Sequence, residues 1–351
     1  MDTQTKINHM LELMDRPAFC VLGGRIISAN SAAQSRLVPL GSPVAPLISV
    51  GSEEYAAFRQ GCLYLCLTIN GVCYDSSVSA VGDRHIFSLN CGTADQLRTL
   101  ALAAQELREP LNRIMMISDH LPETLEADEH SSEMLARMNR GLYQILRMVS
   151  NMSDAGSRSQ PRMELRDVPA VGQEVFAQAS EYCAAAGVTL EYADFPASVY
   201  SLVDSQRLER CIYNILSNSL KYTDPGGVIR ARLTRRGNTL YLTVSDSGHG
   251  LDRATSADPF GRFLREPGIE DGRHGLGLGL TLVRSTVLDH GGTVLLERSG
   301  DSGTRITVSL PIRQDLSEVK SPIIRIDYAG ERNHALVELS DSLPYDLYRN
   351  K

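Results

Sequence analysis

The sequence predicts a multi-domain protein in which an N-terminal α+β unit, a helical hairpin and a C-terminal α/β unit follow one another. Residues 1–92 contain short apolar runs separated by turn residues, and residues 93–157 contain two stretches with an apolar residue at every third or fourth position. Residues 162–313 alternate between strand and helix patterns. A chain of 351 residues is long enough for each unit to bury a core. We therefore predict three units followed by a tail at residues 314–351.

The composition argues against two classes of partner. The net charge is −7 and acidic and basic residues are interspersed, so the chain has no basic patch for nucleic acid or for an anionic membrane. No apolar run approaches the roughly 20 residues that span a bilayer, and the start "MDTQTKINHM" lacks the layout of a signal peptide. We expect a cytoplasmic protein with no nucleic-acid partner and no membrane span. Its seven cysteines, an odd number, are expected to be reduced thiols.

The first unit is predicted to be a small antiparallel sheet. Asn70-Gly71 and Gly82-Asp83 separate apolar runs in the way that is typical of hairpin turns, and "SEEYAAFRQG" is predicted to be a short helix. This order resembles a PAS-type sensor domain, in which a small sheet holds a ligand or a partner surface; a small α+β docking domain is the alternative. The first two of the cysteines Cys62, Cys66 and Cys73 alternate with leucines, which favours core packing over a metal or redox site.

The second unit is predicted to be two helices joined by a polar loop near Pro122. The apolar positions of the first helix are Leu97, Leu100, Ala104, Leu107, Leu111 and Ile114. Those of the second are Leu135, Met138, Leu142, Ile145, Val149 and Met152. One hairpin cannot cover both stripes, so we predict a homodimer that forms a four-helix bundle. Packing of the hairpin on its own chain is the alternative, and residues 153–160 are predicted to be a linker.

Three groups of residues in the third unit carry polar or glycine patterns that suit a phosphorylated ligand. Asp204 is predicted to cap a helix on which Asn214, Asn218 and Lys221 share one flank, a set that suits Mg²⁺ and phosphate. A solvated polar face is the alternative for this helix, as a common turn is for the loop "DSGHG". Asp246 follows a strand and opens the loop "DSGHG", where a carboxylate can accept the amine of adenine and the glycines allow close approach. In "GLGLGL" the glycines precede an apolar helix whose free N–H groups favour phosphate.

In order, the motifs NILSNSLKYT, DSGHG, DPFGRF, GLGLGL and GTRITVSLP resemble the ATP-binding domain of histidine kinases, within the larger group that includes gyrase, chaperone and mismatch-repair ATPases. The resemblance implies an α/β sandwich that binds ATP and Mg²⁺. It implies Mg²⁺ at Asn214 and Asn218, phosphate near Lys221, the nucleotide beside Tyr222 and adenine on Asp246. The other nucleotide-binding positions that it implies are Gly248, Gly250, Gly275, Leu276, Gly277, Gly279 and Thr304. Residues 266–274 would form a lid over the phosphates, with Arg262 or Arg265 as its companion arginine.

The same resemblance covers the first helix of the hairpin. Histidine kinases carry there a serine-histidine-glutamate-leucine-arginine-threonine-proline-leucine box, and the matching residues 104–111 read "AQELREPL". Gln105 therefore replaces the phosphate-accepting histidine, while Glu106 keeps the position of the catalytic base. A glutamine amide cannot attack a phosphate, because its nitrogen lone pair is shared with the carbonyl. Glu109 replaces the threonine that many members use for phosphatase activity, and Pro110 marks the bend typical of the box.

Three functions follow from this pattern. A two-component histidine kinase would transfer phosphate to a response regulator, with His120 or His130 as a substitute acceptor. A pseudokinase would use ATP or ADP occupancy to change how the bundle binds a response regulator or a partner kinase. A serine or threonine kinase would act on a separate protein.

Overall fold

The computed structural model describes residues 3–14, 16–36, 38–90, 94–124, 128–156, 160–193, 195–250, 277–299, 302–315, 329 and 332–349.

The elements of the first unit and the hairpin, in chain order, are α1 (Thr3–Glu12), β1 (Ala18–Leu22), β2 (Arg25–Ala29), α2 (Ser31–Gln34), β3 (Ile48–Val50), α3 (Ser52–Ala57), β4 (Cys62–Ile69), β5 (Val72–Val81), β6 (Arg84–Asn90), α4 (Ala94–Thr124) and α5 (Glu129–Gly156). Those of the third unit and the tail are β7 (Glu164–Asp167), α6 (Val168–Ala185), β8 (Thr189–Ala193), β9 (Tyr200–Val203), α7 (Ser205–Tyr222), β10 (Val228–Arg236), β11 (Thr239–Asp246), α8 (Gly279–Asp289), β12 (Thr293–Arg298), β13 (Thr304–Pro311) and α9 (His334–Glu338).

The first unit is the predicted antiparallel sheet. Its strands pair in the order β2, β1, β6, β5, β4, with β3 on the far side of β4. Both predicted turns are present, because Asn70, Gly71 and Gly82 adopt positive φ angles of 52°, 78° and 64°. Helices α2 and α3 follow β2 and β3, and α3 matches the predicted helix.

The sheets of the first and third units are continuous, which the division into separate units did not anticipate. Strand β4 pairs antiparallel with β12, with Tyr64 opposite Val294 and Cys62 opposite Leu296. The sheet then continues through β13, β11, β10 and β8, giving eleven strands among the described residues. Helices α6, α7 and α8 pack on the strands of the third unit, and this unit is the expected α/β sandwich.

Strand β4 is buried on both faces because it lies at this junction. Leu63, Leu65 and Leu67 face the core of the first unit, whereas Cys62 and Tyr64 join the core of the third. The guanidinium of Arg284 on α8 lies 4.6 Å from the centre of the Tyr64 ring. The cysteines of β4 are therefore core residues, as predicted, and no group of metal-ligating side chains occurs in the described ranges.

The hairpin consists of two long antiparallel helices that are longer than predicted. Ser118 Oγ donates a hydrogen bond to Asn139 Oδ1, which fixes the register between α4 and α5. The two helices are joined as predicted, but α4 continues past Pro122 to Thr124, so their connection lies a few residues later than expected. His120 therefore lies on α4, and His130 lies in the first turn of α5.

The predicted linker and tail also need correction. Residues 153–156 continue α5, so the linker prediction was wrong for this half of the segment, and Asp154 in this last turn binds Arg210 of α7. From the sequence, "IIRIDY" and "HALVEL" could form a hairpin around Gly330; the first of these segments lies outside the described residues, and the prediction was wrong for the second. In the structure, "HALVE" is helix α9, begun by the Asn333 side chain, which accepts from Leu336 N at 3.1 Å. No helix in the described part of the chain is both long and apolar enough to cross a membrane.

The junction between β4 and β12 depends on Gly61. Its φ is +88°, and a Cβ at this position would lie 2.3 Å from the carbonyl oxygen of Leu296 on β12. Gly61→Ala is expected to destabilise the protein by about 1–3 kcal/mol more than Gly82→Ala, because overpacking is added to the cost of the positive φ. Gly82, with φ +64° and open space around it, is the matched control. Equal free energies of unfolding for the two variants in urea would contradict the importance of this contact.

Candidate functional site

Helix α7 supplies one wall of the candidate nucleotide site. Asp204 caps its start as predicted, accepting a hydrogen bond from Arg207 N at 3.1 Å. The apolar stripe that holds the helix against the sheet is buried and contains Leu208, Ile212, Ile215 and Leu216. At the other end, Lys221 Nζ lies 5.1 Å from the centre of the Tyr222 ring, and that ring is 44% exposed. The polar end of α7 is thus open to a ligand.

Asp246, at the end of β11, is held in a rigid pocket. The side chain is 8% exposed, and its Oδ1 accepts hydrogen bonds from Thr304 N at 2.9 Å and Gly248 N at 3.1 Å. Burial raises the pKa of the carboxyl above its usual range, and these two hydrogen bonds, with one from Ser219, oppose that rise. An ionised carboxylate has about four acceptor positions, so it can still accept a further donor.

Two glycines allow the loop after Asp246 to pack closely. A Cβ on Gly248 would lie 2.2 Å from the carbonyl oxygen of Tyr222, and a Cβ on Gly303 would lie 2.1 Å from the carbonyl oxygen of Asp246. Gly250 has a φ of +78° and lies against Gly303. The loop, the end of α7 and the start of β13 therefore form one continuous surface. A larger residue at Gly248 or Gly303 would prevent this close packing.

Helix α8 begins beside α7. Gly277, with φ +70°, and the buried Leu278 lead into Gly279, the first helical residue. A Cβ on Gly279 would lie 3.0 Å from Asn214 Oδ1 and 3.9 Å from Asn218 Nδ2. The structure therefore brings the asparagines of α7 to the N-terminus of α8, where backbone N–H groups are available for an anion.

The two asparagines differ in accessibility. Asn218 is half-buried, but Asn214 is 0% exposed. Asn214 Nδ2 donates to the carbonyl oxygen of Arg210 at 2.9 Å, and Nη2 of Arg147 donates to Asn214 Oδ1 at 3.5 Å. Only Asn218 is open to a metal ion in this arrangement.

A buried ionic cluster adjoins Asn214, and the sequence analysis did not identify it. Glu338 of α9 is 0% exposed, and its Oε1 accepts from Arg210 Nε at 2.9 Å while its Oε2 lies 3.4 Å from Arg147 Nε. Arg210 also binds Asp154 and Asn151 of α5. The charged residues of this cluster come from three distant segments, so no local sequence pattern predicts it. Arg147, an arginine within the apolar stripe of α5, is a feature that could have indicated a buried ion pair.

Gln105 is exposed on α4, next to exposed Glu106. The pairing of Ser118 with Asn139 places Gln105 near the level of Met152, at the end of the hairpin where Asn151 and Asp154 bind Arg210 of α7. The predicted lid at 266–274 lies outside the described residues. So do four of the predicted nucleotide-binding residues: Arg262, Arg265, Gly275 and Leu276.

Comparisons with known proteins match this part of the chain to an ATPase-type domain. Residues 203–314 match the family model described as histidine kinase-, DNA gyrase B-, and HSP90-like ATPase. The chain is 31% identical over 227 residues to the signal transduction histidine-protein kinase BaeS of Escherichia coli (strain K12), covering 62% of this chain and 47% of that protein. It is 27% identical over 241 residues to the adaptive-response sensory kinase SasA of Synechococcus sp. (strain CC9311), covering 67% and 62%.

Residues 203–314 therefore belong to this ATPase family, and the chain as a whole is similar to sensor histidine kinases. It spans less than two thirds of the length of these relatives. Its fold resembles the crystal structure of full-length ShkA in complex with AMPPNP, with a TM-score of 0.50 and 21% identity over 64% of this chain and 47% of that one. The matched residues thus form the expected ATPase-type domain, whereas Gln105 lies outside the matched range.

His290 joins the two helices of the site. Its Nε2 accepts from Asp204 N at 2.9 Å and its Nδ1 donates to the carbonyl oxygen of Thr286 at 2.6 Å, so the ring is neutral. Burial lowers the pKa of His290 in the folded protein. The stability contributed by the neutral ring is therefore complete above the pKa of about 6.5 that histidine has in the unfolded chain, and it is lost as the pH falls through the lower pKa of the folded state.

The free energy of unfolding should accordingly fall less between pH 7.5 and 5 in His290→Gln than in the wild type. Exposed His120 provides the matched control, His120→Gln, which should follow the wild type. Urea unfolding at several pH values measures this, and parallel curves for wild type and His290→Gln would contradict the assignment.

Proposed function

We propose that this chain binds ATP with Mg²⁺ and acts as a nucleotide-responsive member of its family that does not phosphorylate itself at position 105. The observation that carries the proposal is the combination of an assembled nucleotide pocket with an exposed glutamine at the acceptor position. Phosphate held near Gln105 finds a hydrogen-bond donor there and no nucleophile.

The pocket suits ATP through three groups of contacts. Asp246 would accept the exocyclic amine of adenine, Tyr222 would lie beside the nucleotide, and the N–H groups at Gly279 would meet phosphate. The close approaches at Gly248 and Gly303 leave the backbone near the base. Asn218 supplies an accessible carboxamide oxygen for Mg²⁺, which when bound neutralises phosphate charge, and Lys221 would add a cation.

Asp246→Asn tests the pocket. The amide replaces an acceptor with a donor at the adenine amine, so ATP affinity should fall at least about tenfold, the equivalent of one charge-assisted hydrogen bond. Calorimetric titration with ATP measures the change, and unfolding in urea checks that the variant is folded. Glu191→Gln, on the exposed edge strand β8, is the matched carboxylate control. Unchanged ATP affinity in Asp246→Asn would refute the site assignment.

The missing acceptor can be tested by restoring it. In Gln105→His, a neutral imidazole stands beside Glu106, which can take its proton. Incubation with γ-labelled ATP and Mg²⁺ should label this variant with acid-labile, alkali-stable phosphate and leave the wild type unlabelled. Label on the wild type would favour the kinase alternative, with His120 and His130 as the first candidates, and label only on an added protein's hydroxyl would favour the serine or threonine kinase alternative.

Homodimerisation through the hairpin remains part of this proposal. Both helices of the hairpin carry exposed large apolar side chains, among them Leu107, Ile114, Ile117, Met138 and Ile145. Leu107 and Ile114, like Met138 and Ile145, are seven residues apart, the spacing by which two hairpins interdigitate. Nucleotide occupancy would then alter how this bundle binds a response regulator or a partner kinase. The PAS-like first unit, which is joined to the ATPase sheet through β4, would sense the signal that regulates this binding.

A further inference from the structure

The C-terminal tail is folded onto both the hairpin and the ATPase domain. Along α5, Asn139 Nδ2 donates to the carbonyl oxygen of Tyr348 at 3.1 Å, and Gln144 Nε2 donates to that of Ser340 at 3.3 Å. The rings of Tyr143 and Tyr348 meet edge to face with their centres 5.1 Å apart. The tail therefore covers the face of α5 that lies away from the exposed apolar stripe.

The same segment also reaches α7. His334 Nδ1 lies 2.5 Å from Glu209 Oε1, and Glu338 binds Arg210 at 2.9 Å. Leu336, Val337 and other apolar side chains of α9 belong to the core cluster that includes α5, α6 and α7. The tail thus acts as a clasp, defined here as residues 332–349, that joins the ATPase domain to the hairpin.

The clasp holds Arg147 in place over Asn214. Arg147 Nη1 binds Asp341 Oδ2 at 2.5 Å and its Nε lies 3.4 Å from Glu338 Oε2, so both tail carboxylates anchor it. Its remaining nitrogen, Nη2, is the one that donates to Asn214 Oδ1. The Arg147 side chain is 6% exposed, and the Asn214 oxygen beneath it has no access to solvent.

We propose that the clasp controls the metal site: while the tail is docked, Arg147 blocks Asn214 Oδ1 from Mg²⁺, and Mg²⁺–ATP binds with full affinity only when the clasp opens. This inference rests on the proposed function and adds a regulatory role for the tail. Mg²⁺ demands near-ideal octahedral ligands at about 2.1 Å, so a buried oxygen that contacts a guanidinium cannot join its coordination sphere. Asn218 alone would then support weaker binding.

The coupling must act in both directions. If docking of the tail weakens Mg²⁺ binding, then Mg²⁺–ATP must weaken docking of the tail by the same factor. ATP without Mg²⁺ uses the Asp246 pocket, which the clasp does not touch, and should leave the tail docked.

The first test compares the ATP affinity of the full chain with Mg²⁺ and with EDTA. The double variant Glu338→Gln/Asp341→Asn should increase the Mg²⁺-dependent gain in affinity at least about fivefold over the wild type, the lower end of typical coupling, with affinity in EDTA unchanged. Arg147→Met, which removes the guanidinium but keeps the length of the side chain, should act in the same direction. Arg230→Met is the matched control, because Arg230 pairs with Glu191 on the surface of the sheet.

The second test needs no variant. Amide hydrogen exchange at residues 335–343 of the wild-type chain should become at least about fivefold faster with Mg²⁺–ATP and stay unchanged with ATP and EDTA. Exchange in this segment that is unchanged or slower with Mg²⁺–ATP would overturn the inference. An equal Mg²⁺-dependent gain in all variants, with ATP still bound, would overturn it and leave the proposed function intact. Failure of every form to bind ATP would refute the proposed function as well.

Discussion

The pairing of Glu338 with Arg147 and Arg210 determines how the parts of this molecule are arranged. A carboxylate with no exposed surface is stable only if its charge is matched, because each unpaired buried ion costs several kcal/mol. The two arginines come from the hairpin and from α7, so satisfying one carboxylate brings the tail, the hairpin and the ATPase domain to a single point. Asn214 lies at that point, which is why an interaction that stabilises the fold can also control a binding site.

A second constraint, the pairing of β4 with β12, joins the N-terminal unit to the same domain. Tyr64 of β4 lies under Arg284 of α8, and α8 begins at Gly279 in the candidate site. Helix α8 thus runs from its contact with the N-terminal sheet to the candidate site. Together with the clasp, it connects the candidate site to both the first unit and the hairpin.

Features set by neighbouring residues could be predicted from the sequence, and features set by distant ones could not. The hairpin turn at Asn70-Gly71, the cap at Asp204 and the buried stripe of α7 each depend on a few adjacent residues, and each was found as predicted. The continuous sheet and the pairing of Glu338 with Arg210 depend on contacts between residues 128–234 positions apart, which leave no periodic signal. Asn214 illustrates the limit, since its spacing fits a metal ligand while its burial under Arg147 is visible only in three dimensions.

The central claim is that this chain binds nucleotide without becoming phosphorylated. Mass spectrometry of the full wild-type chain after incubation with Mg²⁺–ATP tests it most directly, first under native conditions and then after denaturation at alkaline pH, where a phosphohistidine survives. The account predicts a bound-nucleotide mass under native conditions and the unmodified mass after denaturation. A phosphate mass that persists after denaturation, or the absence of any bound nucleotide, would contradict it.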